Sequence, residues 1–169
     1  YANWYMAADF ANALSVLEGL SECYTCTSSG ISVTCSESGT HASIYDCPGY
    51  RLPTEAEWEL AARSGTTSEF WTGEGDELGG SYSSSSCDGD ETIDDGAGSP
   101  YPLLGDYAWY CGNRYDDAGY NGSKEVAQLL PNGYGLYDMH GNVWEWTNDR
   151  HLGSFPSSSE DPEGSESGG

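Results

Sequence analysis

An α+β fold with little regular secondary structure and long ordered loops is what this sequence predicts, and three observations predict it. Two short stretches carry helical spacing of apolar residues, one near the N-terminus and one following Pro53. Several short runs of β-branched or aromatic residues have strand length rather than helix length. Between them, the 23 glycines of the 169-residue chain and many serines and acids interrupt both periods.

The elements follow in order. Asn3-Trp4-Tyr5 precedes a helical pattern from Ala7 to Leu17, with Phe10, Ala13, Leu14 and Leu17 on one face, which reads as the buried one. Gly19 is placed to end it, because the residue after a helix commonly adopts a left-handed conformation that glycine enters freely. Thr25 to Thr34 suggests a short hairpin around Ser28-Ser29-Gly30. A second helix opens at Leu52-Pro53-Thr54, where Thr54 can cap while Glu57, three residues on, reaches back to the cap amide. Trp58, Ala61 and Ala62 form its expected buried face, and Gly65 follows its end. Residues 73–100 are rich in Ser, Gly and acids and read as a long surface loop. Tyr107 to Cys111 and Val143 to Trp146 read as short strands, and Trp58, Trp109, Trp144 and Trp146 as core residues. From residue 155 the sequence FPSSSEDPEGSESGG has almost no apolar anchor and reads as a loop or disordered tail. The expected organisation is therefore one domain over 1–154 and a tail over 155–169.

Charge narrows the functional classes. Twenty-eight acids against five bases give a formal charge of −23. Phosphate binding needs clustered Lys and Arg, so a nucleic-acid partner is excluded, and approach to an anionic membrane is disfavoured for the same reason. No apolar run is long enough to span a bilayer. The aromatic share of 13% offsets a modest 37% apolar content, since each buried ring removes a large area from water.

Six cysteines stand at 23, 26, 35, 47, 87 and 111. Zinc on Cys23, Cys26, Cys35 and Cys47 is one reading, but the uneven spacing of the second pair weakens it. A redox CxxC should follow a strand and open a helix, whereas this one follows a helix. Structural disulfides are favoured, paired Cys26–Cys35 across the hairpin, Cys23–Cys47 and Cys87–Cys111. They imply an oxidising, extracytoplasmic compartment, periplasmic or secreted. The chain opens at Tyr1 without methionine or an apolar leader, so it is read as a piece of a longer exported protein.

The densest stretch is LPNGYGLYDMHGNVWEWTND, from Leu130 to Asp149. Gly133, Gly135 and Gly141 break any helical stripe, so the backbone is expected to fold tightly around something. Asp138, Asn142, Glu145 and loop carbonyls offer oxygen only, which suits a hard cation such as calcium. The plainer alternative has Asp138 capping a turn and Glu145 pairing with Arg150, with Asn142 satisfying backbone groups. The acidic run Asp88 to Gly96 lacks the glycine and the terminal glutamate of a calcium loop and reads as a solvated loop. Arg51 and Arg63 read as structural bridges to carboxylates. Neither a GxSxG elbow nor a histidine in a triad setting occurs, so nucleophilic catalysis finds no support.

Two stretches taken together, GYRLPTEAEWELAAR at Gly49–Arg63 and NGYGLYDMHGNVWEW at Asn132–Trp146, resemble the formylglycine-generating enzyme (sulfatase-modifying factor) family, in the family's order. The resemblance implies a C-type-lectin-like fold, and calcium held by Asp138, the Gly141 and Val143 carbonyls and Glu145. It also implies a reaction: oxidation of a cysteine in a sulfatase protein or peptide to formylglycine, using dioxygen and copper held on two thiolates. Soft thiolates suit copper(I). In the family those cysteines lie after an Arg-Gly-Gly-Ser-Trp strand, and the six cysteines here all precede the calcium motif, so none matches them. Copper is accordingly expected only in a full-length enzyme. Two readings stand: part of an oxidase that is silent as this chain, or a calcium-stabilised lectin-like binding or structural module that does no redox chemistry.

Overall fold

The computed structural model describes residues 2–28, 30–67, 70–72, 104–110, 113 and 122–149. The chain forms two compact units: Tyr1–Ala56 with Trp146–Gly169, and Glu57–Glu145. Among the described residues regular structure is sparse, with two α-helices, two strands and a few single helical turns. The low regular content expected from the sequence is observed.

In the first unit, helix α1 spans Trp4–Leu17, three residues longer at its start than the periodicity suggests. Asn3 supplies the start: its side-chain oxygen accepts the Met6 amide at 2.9 Å. Gly19 ends the helix with φ of 71°, and the Leu20 amide returns to the Ser15 carbonyl at 2.7 Å, a Schellman closure. The buried face is not the expected one. Ala8, Ala11, Asn12 and Ser15 point inward, while Phe10 and Leu17 are exposed. Small residues let the hairpin approach closely, and that close contact outweighs the larger side chains on the opposite face.

Strands β1 (Tyr24–Thr27) and β2 (Thr34–Glu37) pair antiparallel with Cys26 opposite Cys35. A helical turn over Gly30–Ser32 joins them. Disulfides link Cys26 to Cys35 and Cys23 to Cys47, both as expected, and none of the described cysteines is free. The Cys87–Cys111 pairing lies outside the described residues. Ala8, Ala11, Cys23, Tyr24, Ile44 and Cys47 make the core, with Trp4 packed against it.

Polar side chains hold this core in register. Asn12 brackets the Tyr24 backbone, donating to its carbonyl at 2.8 Å and accepting its amide at 3.1 Å. The Tyr24 hydroxyl donates to Asn148 Oδ1 at 2.8 Å and accepts the Leu52 amide at 3.0 Å. Burial pushes the Tyr24 phenol up to about 12, the Leu52 bond opposing and the Glu37 charge assisting. Asn148 also donates to Glu37 Oε1 at 2.6 Å, and its amide reaches the Pro53 carbonyl at 2.7 Å. Arg51 stacks on the Tyr45 ring at 5.4 Å.

Helix α2, Glu55–Arg63, lies almost wholly in the second unit. Its opening amide, Glu55, is taken by the carboxylate of Asp149, a negative group at the positive end of the helix. Thr54 is fully buried, its hydroxyl 3.0 Å from that of Tyr45. Arg63 pairs with Glu59 one turn earlier, at 2.7 Å. The two late strands expected from the sequence are not there. Leu104–Asp106 is a helical turn followed by irregular backbone to Tyr110, and residues 143–146 are irregular throughout. Trp144 is fully exposed and Trp146 half-exposed, so neither is a core residue.

Candidate metal-binding turn

The long motif of the second unit is built by asparagines. Asn132 is buried; its Oδ1 accepts the amides of Tyr134 and Leu136, both at 3.0 Å, while its amide group donates to the Ala61 carbonyl at 2.8 Å. One side chain thus folds the Asn-Gly-Tyr-Gly turn and ties it to α2. Asn142, with φ of 62°, does the same further on. Its Oδ1 accepts the Lys124 amide at 2.9 Å and its nitrogen donates to the Lys124 carbonyl at 3.2 Å, so it satisfies backbone groups. Gly141, at φ of 124°, lies flat on the Trp109 carbonyl, where any Cβ would collide with that oxygen.

The four residues expected to hold a cation sit along this same loop. Asp138, itself at φ of 58°, accepts the Ala127 amide through Oδ2 at 2.8 Å. Glu145 accepts the Trp58 indole N–H through Oε2 at 2.5 Å. The Val143 amide turns back to the Gly141 carbonyl at 2.8 Å. One oxygen on each carboxylate and the Val143 carbonyl take no hydrogen bond from the described residues. The donors that remain are hard oxygens, the chemistry calcium prefers and copper(I) does not. Among the described residues no three His, Cys, Asp or Glu side chains are grouped to hold a metal, so a cation here would draw on the carbonyls as well.

Sequence reasoning passed over several residues. His140 lies within the motif, its Nε2 accepting the Trp71 amide at 3.5 Å and its ring edge-on to Phe70. Burial lowers its pKa, opposed by a hydrogen bond to the Ala62 carbonyl and assisted by Arg63. Trp71 stacks edge-on against Tyr107 at 4.7 Å between centroids. Ser64 Oγ, Trp71 Nε1, Thr72 Oγ1 and Trp109 Nε1 are buried with no hydrogen-bond partner. Asn148 and Asp149 were also missed; the only signal was their polarity directly after an aromatic run.

A loop-rich α+β protein with a disulfide-tied hairpin and an asparagine-built turn of oxygen donors is the class these features define. The chain belongs to the sulfatase-modifying factor enzyme 1-like domain family, whose model matches residues 1–156. It is 39% identical to the formylglycine-generating enzyme of Mycobacterium tuberculosis over 99 residues, 59% of this chain and 27% of that protein. Against the inactive C-alpha-formylglycine-generating enzyme 2 of Mus musculus the identity is 34% over 100 residues, 59% of this chain and 26% of that protein. The solved structure of Treponema denticola variable protein 1 superposes with a TM-score of 0.57 at 31% identity, covering 99% of this chain and 55% of that one. The chain therefore spans about a quarter of those two enzyme-named relatives and about half of the Treponema chain.

Proposed function

We propose that this chain is a scaffold portion of a formylglycine-generating-enzyme-like protein, of C-type-lectin-like fold, that carries out no oxidation by itself. The observation that carries this reading is the use made of four of its six cysteines, Cys87 and Cys111 lying outside the described residues. Cys23, Cys26, Cys35 and Cys47 are consumed in disulfides and offer no thiolate to copper. Copper on two thiolates would supply dioxygen activation in the family's enzymes; what this chain's own residues do is fold and brace. Asn132, Asn142, Asn148 and Asp149 all bond to backbone or buried groups. Relatives named as a formylglycine-generating enzyme and as an inactive one are consistent with a scaffold that outlives the chemistry. The disulfides support an exported protein, periplasmic or secreted. In a complete enzyme the substrate would be a cysteine-bearing sulfatase segment.

Calcium belongs to the same reading, held by Asp138, the Gly141 and Val143 carbonyls and Glu145, with water completing the shell. Calcium at a hundred times its dissociation constant should stabilise the fold by about 2.7 kcal/mol, read as a rise in melting temperature that chelator reverses. Glu145→Gln should abolish the shift and leave the disulfides intact. A melt indifferent to both calcium and chelator would remove the site. The scaffold reading is tested separately, by incubating the copper-loaded chain with a cysteine-containing sulfatase peptide under oxygen. No aldehyde should form; an aldehyde product would overturn the reading.

A further inference from the structure

Helix α1 is apolar on two opposite faces. One face, Ala8, Ala11 and Ser15 with Asn12, is buried against the hairpin. The other carries Phe10 at 65% exposure and Leu17 at 77%, with Val16 at 61% beside them. Large apolar side chains left exposed together on one helix face mark an interaction surface. Val16 also lines a groove of about 540 Å³, together with Leu20, Tyr24 and Thr25 and the polar Glu22 and His41. The whole feature lies within the first unit.

Charge says what covers it. Residues 1–50 contain no Lys or Arg, and Asp9, Glu18 and Glu22 flank the stripe and the groove. We propose that the α1 stripe and its adjoining groove dock an amphipathic polypeptide segment rich in Lys or Arg. Its apolar residues cover Phe10 and Leu17. Its basic side chains lay their methylene stems along Val16 and Leu20 and bring their charged ends to Glu18 and Glu22. A second copy fits badly, because a two-fold contact would set Asp9, Glu18 and Glu22 against themselves. The chain's own residues 155–169 fit no better, carrying Glu160, Asp161, Glu163 and Glu166 and no base. Anionic lipid is repelled for the same reason.

The test uses the 169-residue chain and a labelled synthetic peptide of about five helical turns, leucine on one face and lysine on the other. Fluorescence anisotropy at about 0.15 M salt should show saturable one-to-one binding. Leu17→Asp and Glu22→Lys should each weaken it by about tenfold or more. Glu125→Lys, the same charge change at an exposed position of the second unit, should have far less effect. A peptide with the leucines replaced by serine should bind much more weakly, and one with glutamate in place of lysine should not bind. Equal binding of the serine peptide, or equal weakening by Glu125→Lys, would reduce the interaction to bulk charge and overturn the proposal. So would sedimentation showing a dimer that Leu17→Asp dissociates, which would make a second copy the occupant. Because these positions are exposed, circular dichroism of each variant should match the parent chain.

Discussion

The two units solve the problem of a small apolar core in opposite ways. The first is stapled and saturated: two disulfides, and a buried tyrosine whose hydroxyl both gives and takes a hydrogen bond. The second, within its described residues, has irregular backbone folded by asparagine side chains, and four buried polar atoms left without partners. Buried polar groups are nearly always paired, and each unpaired one costs about 1–3 kcal/mol. The first unit is thus braced by covalent links and paired polar groups, whereas the second leaves buried polar groups unpaired at a cost to its stability.

The largest test of that contrast is removal of a staple. Replacing Cys23 and Cys47 by serine, which opens a loop of 24-residue separation, should lower unfolding free energy by about 3 kcal/mol, with somewhat less lost at Cys26–Cys35. Denaturant titration measures it, and an unchanged midpoint would deny the disulfide its bracing role. Next comes a matched pair of deletions. Tyr24→Phe strands Asn148 Oδ1 and the Leu52 amide and should cost about 2 kcal/mol, while Thr72→Val removes a hydroxyl that has no partner and should be neutral or stabilising by up to about 1 kcal/mol. Equal losses at both positions would erase the distinction between the units.

Opposite pH responses give the smallest and most selective effect. Tyr24 is raised to about 12 by burial, so its folded form keeps the proton that the unfolded phenol releases near 10. That contribution is whole below pH 10 and is lost as pH rises through 12. His140 is lowered by burial, so the folded state favours the neutral ring. Its contribution is whole above the unfolded value of about 6.5 and is lost as pH falls from there through the lowered folded value. Protonation would also remove the acceptor for the Trp71 amide. Hydrogen exchange should therefore show the second unit loosening first in mild acid and the first unit in alkali. His140→Gln should remove the acid response alone.

How much of this was legible in the sequence depends on how local the signal is. Asn3, Gly19 and the Cys26–Cys35 hairpin act within a few residues, and the positions of α1's end and of the hairpin could be read directly. The motif pair around α2 and Asn132–Trp146 was enough to place the family. Helix α1's buried face was misread because periodicity ranks side chains by size, and here alanine and serine win by permitting close approach. The strands at 107–111 and 143–146 were misread because aromatic alternation suits a strand, yet Gly141 and Asn142 commit the backbone to a turn on Trp109 first. The Asp149 contact with Glu55 could not be read at all, because nothing in either neighbourhood marks a partner 94 residues away.

That last contact has a consequence for the order of events at the ribosome. The first unit consists of the opening residues and the segment from Trp146 onward, with the whole of the second unit's sequence between them. Until Asn148 and Asp149 emerge, the Tyr24 hydroxyl lacks its acceptor and α2 lacks the carboxylate at its first amide. At about 5–20 residues per second the nascent chain waits on the order of ten seconds with this pairing unmade. The disulfide hairpin, whose partners are close in sequence, can close during that interval. The hairpin disulfide, joining cysteines nine positions apart, therefore needs none of the unit's last-made contacts.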